Sequence, residues 1–257
     1  KPTKSFLIHP NPIGRPDPFQ SLTDVIPIDT LRFFQEFTWP GQQINPWRLL
    51  GLKVASIQDK FFKQANFTEL YVYNDLIKKI ENLDGAEVHI ANSLAIRYVN
   101  WTSAHFSQTE VFSNRGTSGI DGCLSTAVGA SQNTSKIVIS ILGDVAFQYD
   151  KNALWNQYVP KNLRIIVFNN EGGGIFRNLD GAKDLPELAD FMETKQTFTA
   201  KNTCLDAGLD YYSAQSFDEW NAILPPFFKT SQRGVLLEVF TNSIEKADEL
   251  KKYMDLF

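Results

Sequence analysis

The chain has 257 residues, 43% of them hydrophobic and 21% charged, with a formal net charge of −4. This is an ordinary globular composition, long enough for one large domain or for one domain and part of another. It indicates no nucleic-acid partner, and no apolar run approaches the ~20 residues needed to span a bilayer. Two distant cysteines, Cys123 and Cys204, and three scattered histidines show no ligand spacing, so a reducing cytoplasm is the simplest setting. The first residues, Lys1-Pro2-Thr3-Lys4, lack both an apolar leader core and a starting Met, so a processed product or a fragment is expected.

Residues 1–66 read differently from the rest. Prolines cluster from Pro10 to Pro46, Phe6-Leu7-Ile8 suggests a strand, and Leu31 to Phe37 is a short segment that ends abruptly. No complete core pattern is visible, which suggests the tail of a neighbouring domain and a long connection. From Phe67 the pattern becomes regular. Leu70, Tyr73, Leu76, Ile77 and Ile80 share one helical face, and Gly85 follows the helix. Glu87 to Ala91 reads as a short strand, and Asn92-Ser93 opens another helix with Ser93 and Arg97 one turn apart. Such a helix start suits an anion, and Arg97 offers a planar fork for a carboxylate. The same residues also read as a plain N-cap and a solvated arginine. Val111-Phe112 then ends a strand, and Ser113 to Gly122 forms a loop with an arginine, Arg115, and three glycines before a helix over 123–131. Ile120 is out of place in that polar loop: it either plugs the core beneath it or has a task.

The densest signal runs from Lys136 to Phe176. A β-branched run, Ile137 to Leu142, ends at Gly143-Asp144. A helix is expected over about 150–158, stopped by Pro160, and a second run, Leu163 to Phe168, ends at Asn169-Asn170 ahead of Gly172, Gly173 and Gly174. Strand, helix, strand is a βαβ unit, so Asp144 and Asn170 are expected at neighbouring C-terminal strand ends, where open parallel sheets bind ligands. A carboxylate, an amide oxygen and a backbone carbonyl suit Mg²⁺, and N–H groups after Asp144 and in the glycine loop suit phosphates. A long loop, 171–201, follows, with a short helix expected over 185–191. After it come a strand (209–214), a helix (216–227), a strand (235–239) and a last helix capped by Ser243 whose Leu250 and Tyr253 pack on the sheet. Alternating β and α predicts an α/β fold: a mostly parallel sheet with helices on both faces over 67–257.

The Gly-Asp to Asn-Asn spacing resembles the thiamine-diphosphate motif, although its usual third glycine is Val145 here. Together with Asn92-Ser93-Leu94-Ala95-Ile96-Arg97 and Ser113-Asn114-Arg115-Gly116-Thr117-Ser118-Gly119-Ile120-Asp121-Gly122, it is similar to one family, 2-succinyl-5-enolpyruvyl-6-hydroxy-3-cyclohexene-1-carboxylate synthase of menaquinone biosynthesis. The likeness covers 67–257 well. Residues 1–66 look like the end of that family's central domain and its linker.

The resemblance implies decarboxylation of 2-oxoglutarate with thiamine diphosphate and addition of the succinyl carbanion to isochorismate. It implies Asp144, Asn170 and Gly172 as ligands of Mg²⁺ (or manganese). For the cofactor it implies Asn92, Ser118, Ile120, Asp144, Val145, Ala146, Asn170, Gly172, Gly173 and Ile175, with Ile120 bending the two rings toward each other. It implies Ser93, Arg97 and Arg115 at substrate carboxylates, and Ile120, Arg115 and Arg97 as the residues nearest the chemistry. Ala146 stands where some relatives carry a serine, so a hydroxyl contact to the diphosphate is absent. The family's pyrimidine-binding domain, with its activating glutamate, does not fit into 66 residues, so the chain alone is expected to be inactive and the complete enzyme a homodimer or homotetramer. Another thiamine-diphosphate decarboxylase or carboligase, or a non-catalytic nucleotide-binding module, are the competing readings; no G-x-G-x-x-G supports the last.

Overall fold

The computed structural model describes all residues except 1, 2, 13, 15, 39–45, 103, 104, 107, 179, 180 and 242, and describes no side chain at 178, 183 or 243–247. Two compact units emerge, Lys1–Gly51 and Leu52–Phe257.

In the first unit, strand β1 (Phe6–Ile8) pairs in parallel with β2 (Asp24–Ile26), a partner that the sequence reading does not anticipate. Helix α1 (Thr30–Glu36) begins where the Asp29 carboxylate accepts from Arg32 N at 3.0 Å, and it buries no residue. Helix α2 (Pro46–Phe62), whose residues from Leu52 onward belong to the second unit, begins on a proline, which suits a first helical turn because its missing N–H would be unpaired there anyway. This 17-residue helix escapes the sequence reading because much of it is exposed: Leu49, Leu50 and Leu52 face solvent, so no apolar stripe marks it.

The second unit follows the regular periodicity. Helix α3 (Glu69–Ile80) buries Leu70, Tyr73, Leu76, Ile77 and Ile80, the face expected of it. Then come β3 (Glu87–Ile90), α4 (Leu94–Trp101), β4 (Glu110–Phe112), α5 (Cys123–Ser131) and β5 (Val138–Gly143). Helix α6 spans Asp144–Asp150, followed by a 3₁₀ turn at Lys151–Leu154. The expected helix over 150–158 is thus displaced toward the strand. Ala146 and Phe147, the residues that need burial, come directly after Gly143, whereas Trp155 and Tyr158 are exposed. Strand β6 (Leu163–Asn169) is followed by 3₁₀ turns at Gly174–Asn178 and Ala182–Asp184 and a π-helical turn at Leu188–Met192, close to the short helix expected at 185–191. Helix α7 (Lys201–Asp206), which the sequence reading does not contain, leads to β7 (Asp210–Ala214). The fold ends with α8 (Phe217–Phe227), β8 (Val235–Phe240) and α9 (Ser243–Met254). In α8 the Ser216 hydroxyl accepts from Glu219 N. Leu250 and Tyr253 of α9 are buried as expected, and the Ser243 cap lies outside the described side chains.

The sheet is six-stranded, in the order β4-β3-β5-β6-β8-β7, and every described pair is parallel. Helices cover both faces, so the central strands are continuous apolar runs: every residue of β6 is buried, while all three residues of the edge strand β4 are exposed. Two residues of β6 break the apolar rule, Asn169 at its end and Arg164 near its start. Arg164 is almost fully buried, and its guanidinium donates to the carbonyls of Lys161, Leu163, Phe227 and Lys229. It fastens the end of α8 to the start of the strand, with its donors matched by carbonyls rather than by a counter-ion. Chain direction reverses between β3 and β5: the chain leaves β3 for the edge at β4 and returns to β3's other side. In open α/β sheets such a switch point opens a crevice beyond the C-terminal strand ends. Among the described residues no helix is long and apolar enough to cross a membrane.

Candidate cofactor and metal site

That crevice contains a cavity of about 370 Å³. Its lining includes Asn92 and Ser93 after β3, Asp144 to Ala146 after β5, and Asn170, Gly172 and Gly173 after β6. The register explains the convergence. Ile90 pairs with Ile141 and Gly143 with Phe168, so the three strands end side by side. Tyr73 of α3 and Phe168 of β6, both in the lining, stack at 4.1 Å between ring centroids, and Tyr98 of α4 stacks on Tyr73 at 4.9 Å. These aromatics make a close-packed, water-poor base under the polar strand tips.

Asp144 is 4% exposed. Its Oδ1 accepts from Val145 N at 2.8 Å; its Oδ2 accepts from Gly172 N and from Gln196 Nε2, each at 2.8 Å. The bond to Gly172 joins the β5 and β6 tips directly. Burial pushes the Asp144 carboxyl up to about 6, and the charge of Glu69 adds to that rise, while the bonds from Gln196, Val145 and Gly172 offset part of it. Asn170 is 7% exposed. Its Nδ2 donates to Glu69 Oε1 at 2.5 Å, and its Oδ1 is buried without a hydrogen-bond partner. A buried amide oxygen left unpaired carries a desolvation cost of about 1–3 kcal/mol. A cation beside it would remove that cost. An anionic carboxylate, an unpaired amide oxygen and a nearby carbonyl at Gly172 form an all-oxygen donor set that fits a hard divalent ion. Among the described residues no group of three or more His, Cys, Asp and Glu could hold a metal.

The glycine loop is tight for a reason internal to the chain. A Cβ on Gly172, at φ +147°, would lie 2.5 Å from the Glu193 carbonyl oxygen, and one on Gly173 would lie 3.2 Å from the Met192 carbonyl oxygen. Gly173 N donates to Glu193 O at 2.7 Å and Gly174 N to Gly172 O at 3.0 Å. In this structure the N–H groups of Val145, Gly172, Gly173 and Gly174, four of those expected to face phosphate, all donate within the chain. They hold the loop 171–201 folded back on itself, aided by Arg177, whose Nη2 donates to Glu193 Oε2 at 2.6 Å.

The arginine-bearing loop is held from the other side. Asn92, 2% exposed, donates through Nδ2 to Asn114 O and Gly119 O, and its Oδ1 accepts from Arg115 Nη1 at 3.0 Å. Ile120 is half-buried; it packs against the core and also lines the cavity, so both readings of this residue describe it.

No family model matches the chain. Curated relatives do, among them three that are each a 2-succinyl-5-enolpyruvyl-6-hydroxy-3-cyclohexene-1-carboxylate synthase. The protein of Cytophaga hutchinsonii is 38% identical over 246 residues, covering 94% of this chain and 44% of its own length. That of Flavobacterium johnsoniae is 35% identical over 251 residues, 98% of this chain and 42% of its own. That of Porphyromonas gingivalis is 35% identical over 252 residues, 93% of this chain and 43% of its own. The chain corresponds to the C-terminal part of this synthase family. It spans less than half the length of the curated relatives it matches.

The synthase likeness singles out thirteen positions, and the structure places them unequally. Asn92, Ser93, Ile120, Asp144, Val145, Ala146, Asn170, Gly172, Gly173 and Ile175 line the cavity; Arg97, Arg115 and Ser118 do not. Arg97 Nη1 donates to the Ser93 backbone carbonyl at 2.7 Å, so the two residues share one face of the helix start. Ser93 itself has φ +69°, a strained backbone of the kind found at functional sites. Arg115 and Ser118 are exposed, and the Ser118 hydroxyl donates to Arg115 O. Two residues escape the synthase comparison as read from sequence: Glu69 and Gln196, which hold Asn170 and Asp144. An acid in the first turn of a helix is commonplace, and a glutamine in a long loop has no periodic signal, so neither stands out before folding. The two cysteines are free and buried; burial pushes the Cys204 thiol up to about 12 and raises that of Cys123, which leaves both poor nucleophiles.

Proposed function

We propose that this chain is the thiamine-diphosphate- and metal-binding part of a transferase that moves a succinyl unit from 2-oxoglutarate to isochorismate in menaquinone biosynthesis. The observation that carries the reading is the buried, unpaired Asn170 Oδ1 just past β6, in a cavity that Asp144 at the neighbouring strand end and Ile120 also line. In this reading Asp144, Asn170 and the Gly172 carbonyl hold Mg²⁺ or Mn²⁺ on the diphosphate. Thiamine diphosphate supplies, when bound, the acidic thiazolium carbon that decarboxylation of a 2-oxo acid requires. Ile120 supports the rings from the loop, and the aromatic base of Tyr73 and Phe168 keeps water from beneath them.

Ser93 and Arg97 would bind the distal carboxylate of the 2-oxoglutarate unit, with Arg97 exchanging the Ser93 carbonyl for the carboxylate. Arg115 would meet a carboxylate of isochorismate. Both substrates carry two negative charges, which suits two arginines on one side of a cleft in an acidic protein. The remaining machinery, a pyrimidine-binding domain with its glutamate, lies in our reading outside these 257 residues, and the complete enzyme is a cytoplasmic homo-oligomer. Calorimetry on the purified chain tests the core of this. Thiamine diphosphate should bind only with Mg²⁺ present; binding of ATP or NAD in its place would point to a nucleotide module and sink the reading.

A further inference from the structure

An amide side chain has two ends of similar shape, and only its oxygen can ligate a cation; a nitrogen turned the same way would repel one. Something must therefore choose the end that Asn170 presents. Glu69 stands where that choice is made. It is 2% exposed, lies in the first turn of α3, and lines the cavity. Its Oε1 accepts from Asn170 Nδ2 at 2.5 Å and from Thr241 Oγ1 at 3.3 Å. Thr241, just past β8, is itself fixed by its N–H to Asn169 O at 3.0 Å. The helix start, the β6 tip and the β8 tip thus meet on one carboxylate. A carboxylate accepts and does not donate, so the Asn170 nitrogen must face it and the oxygen must face away. The buried, unpaired Oδ1 is the result. Burial, with the Glu69 charge adding to it, holds the Tyr73 and Tyr98 phenols well above their ordinary range.

We propose that Glu69 is the positioning residue for Asn170: by taking the amide nitrogen it commits the amide oxygen to the metal. The inference rests on the metal site argued under the proposed function and adds to it a residue that acts through a ligand rather than as one.

The test uses the 257-residue chain, Mn²⁺ and thiamine diphosphate, with free Mn²⁺ read by its electron-spin-resonance signal. Glu69→Gln keeps the volume but can face Asn170 with either end of its own amide, so Mn²⁺ affinity should fall roughly 10-fold, and Glu69→Ala should fall further, toward 100-fold, the range for residues that orient a ligand. Asn170→Asp supplies the decisive background, because a carboxylate offers an oxygen at both ends and needs no orientation. In that background Glu69→Gln should not weaken Mn²⁺ binding. An equal loss in both backgrounds would show that Glu69 acts by its charge or by direct ligation, and would overturn the proposal. So would a Glu69→Gln chain that melts at a lower temperature but binds Mn²⁺ like the parent, since that is what a purely structural glutamate gives. If the parent chain binds no Mn²⁺ with thiamine diphosphate present, the metal site itself is wrong, a failure distinct from the other two.

Discussion

Two regions border the same cavity and are built on opposite plans. At the β5 and β6 tips the polar groups are tied down, and the buried Asn170 Oδ1 is left unpaired. Asp144 receives three hydrogen bonds, Asn170 is pinned by Glu69, and the glycine loop is packed against 192–194 so closely that a single added methyl would collide. On the other side, the loop from Ser113 to Gly122 is exposed or half-buried along its length, and it is attached chiefly through the one buried side chain of Asn92. The difference teaches where preorganisation is needed. A small, hard cation demands fixed oxygens and tolerates little slack, and the ligands proposed for it are on strand ends with buried support. The dianionic substrates proposed for this site could be met by arginines that re-pair, and Arg97 and Arg115 rest on a carbonyl and an amide.

The contrast can be broken experimentally. The largest effect is expected for Asp144→Ala. Removing a ligand should cost more than removing its support, so Mn²⁺ affinity in the presence of thiamine diphosphate should fall by about 100-fold or more. Titration calorimetry that finds a loss below tenfold would mean the metal lies elsewhere. Second is a pH effect with a definite sign. The Asp144 carboxyl is raised from 3.8 to about 6, so in the folded chain its charged form is disfavoured. Keeping it ionised at pH 7.5 opposes folding by roughly 3 kcal/mol, and that penalty fades as pH falls through 6 toward 4. The metal needs the charged form, so its affinity should drop about tenfold per pH unit below 6. Asp144→Asn should therefore raise the melting temperature of the metal-free chain at pH 7.5 and lose this advantage by pH 4.5; an advantage that does not depend on pH would refute the assignment. The smallest effect is expected for Arg115→Ala, which should leave Mn²⁺ and thiamine diphosphate affinity within about twofold, as exposed positions usually do. A loss rivalling that of Asp144→Ala would erase the distinction between the two regions.

Much of the second unit was legible before folding. The one-sided periodicity of α3, the β-branched runs of β5 and β6 and the strand-ending Gly-Asp and Asn-Asn pairs are local patterns, and burial on two helix-covered faces leaves no freedom in how such runs are used. The same locality placed Asp144 and Asn170 side by side, because a βαβ crossover has one sensible outcome. What folding alone could settle is the set of partners contributed from a distance. Glu69 lies 101 positions from Asn170 and Gln196 lies 52 from Asp144, and nothing in a helix-start acid or a loop glutamine announces which oxygen or amide it will meet. The fate of the glycine N–H groups and the raised carboxyl of Asp144 have the same origin. Hydrogen-bond accounts and desolvation depend on every atom that closes around a group, and those atoms come from segments that the linear pattern leaves unrelated.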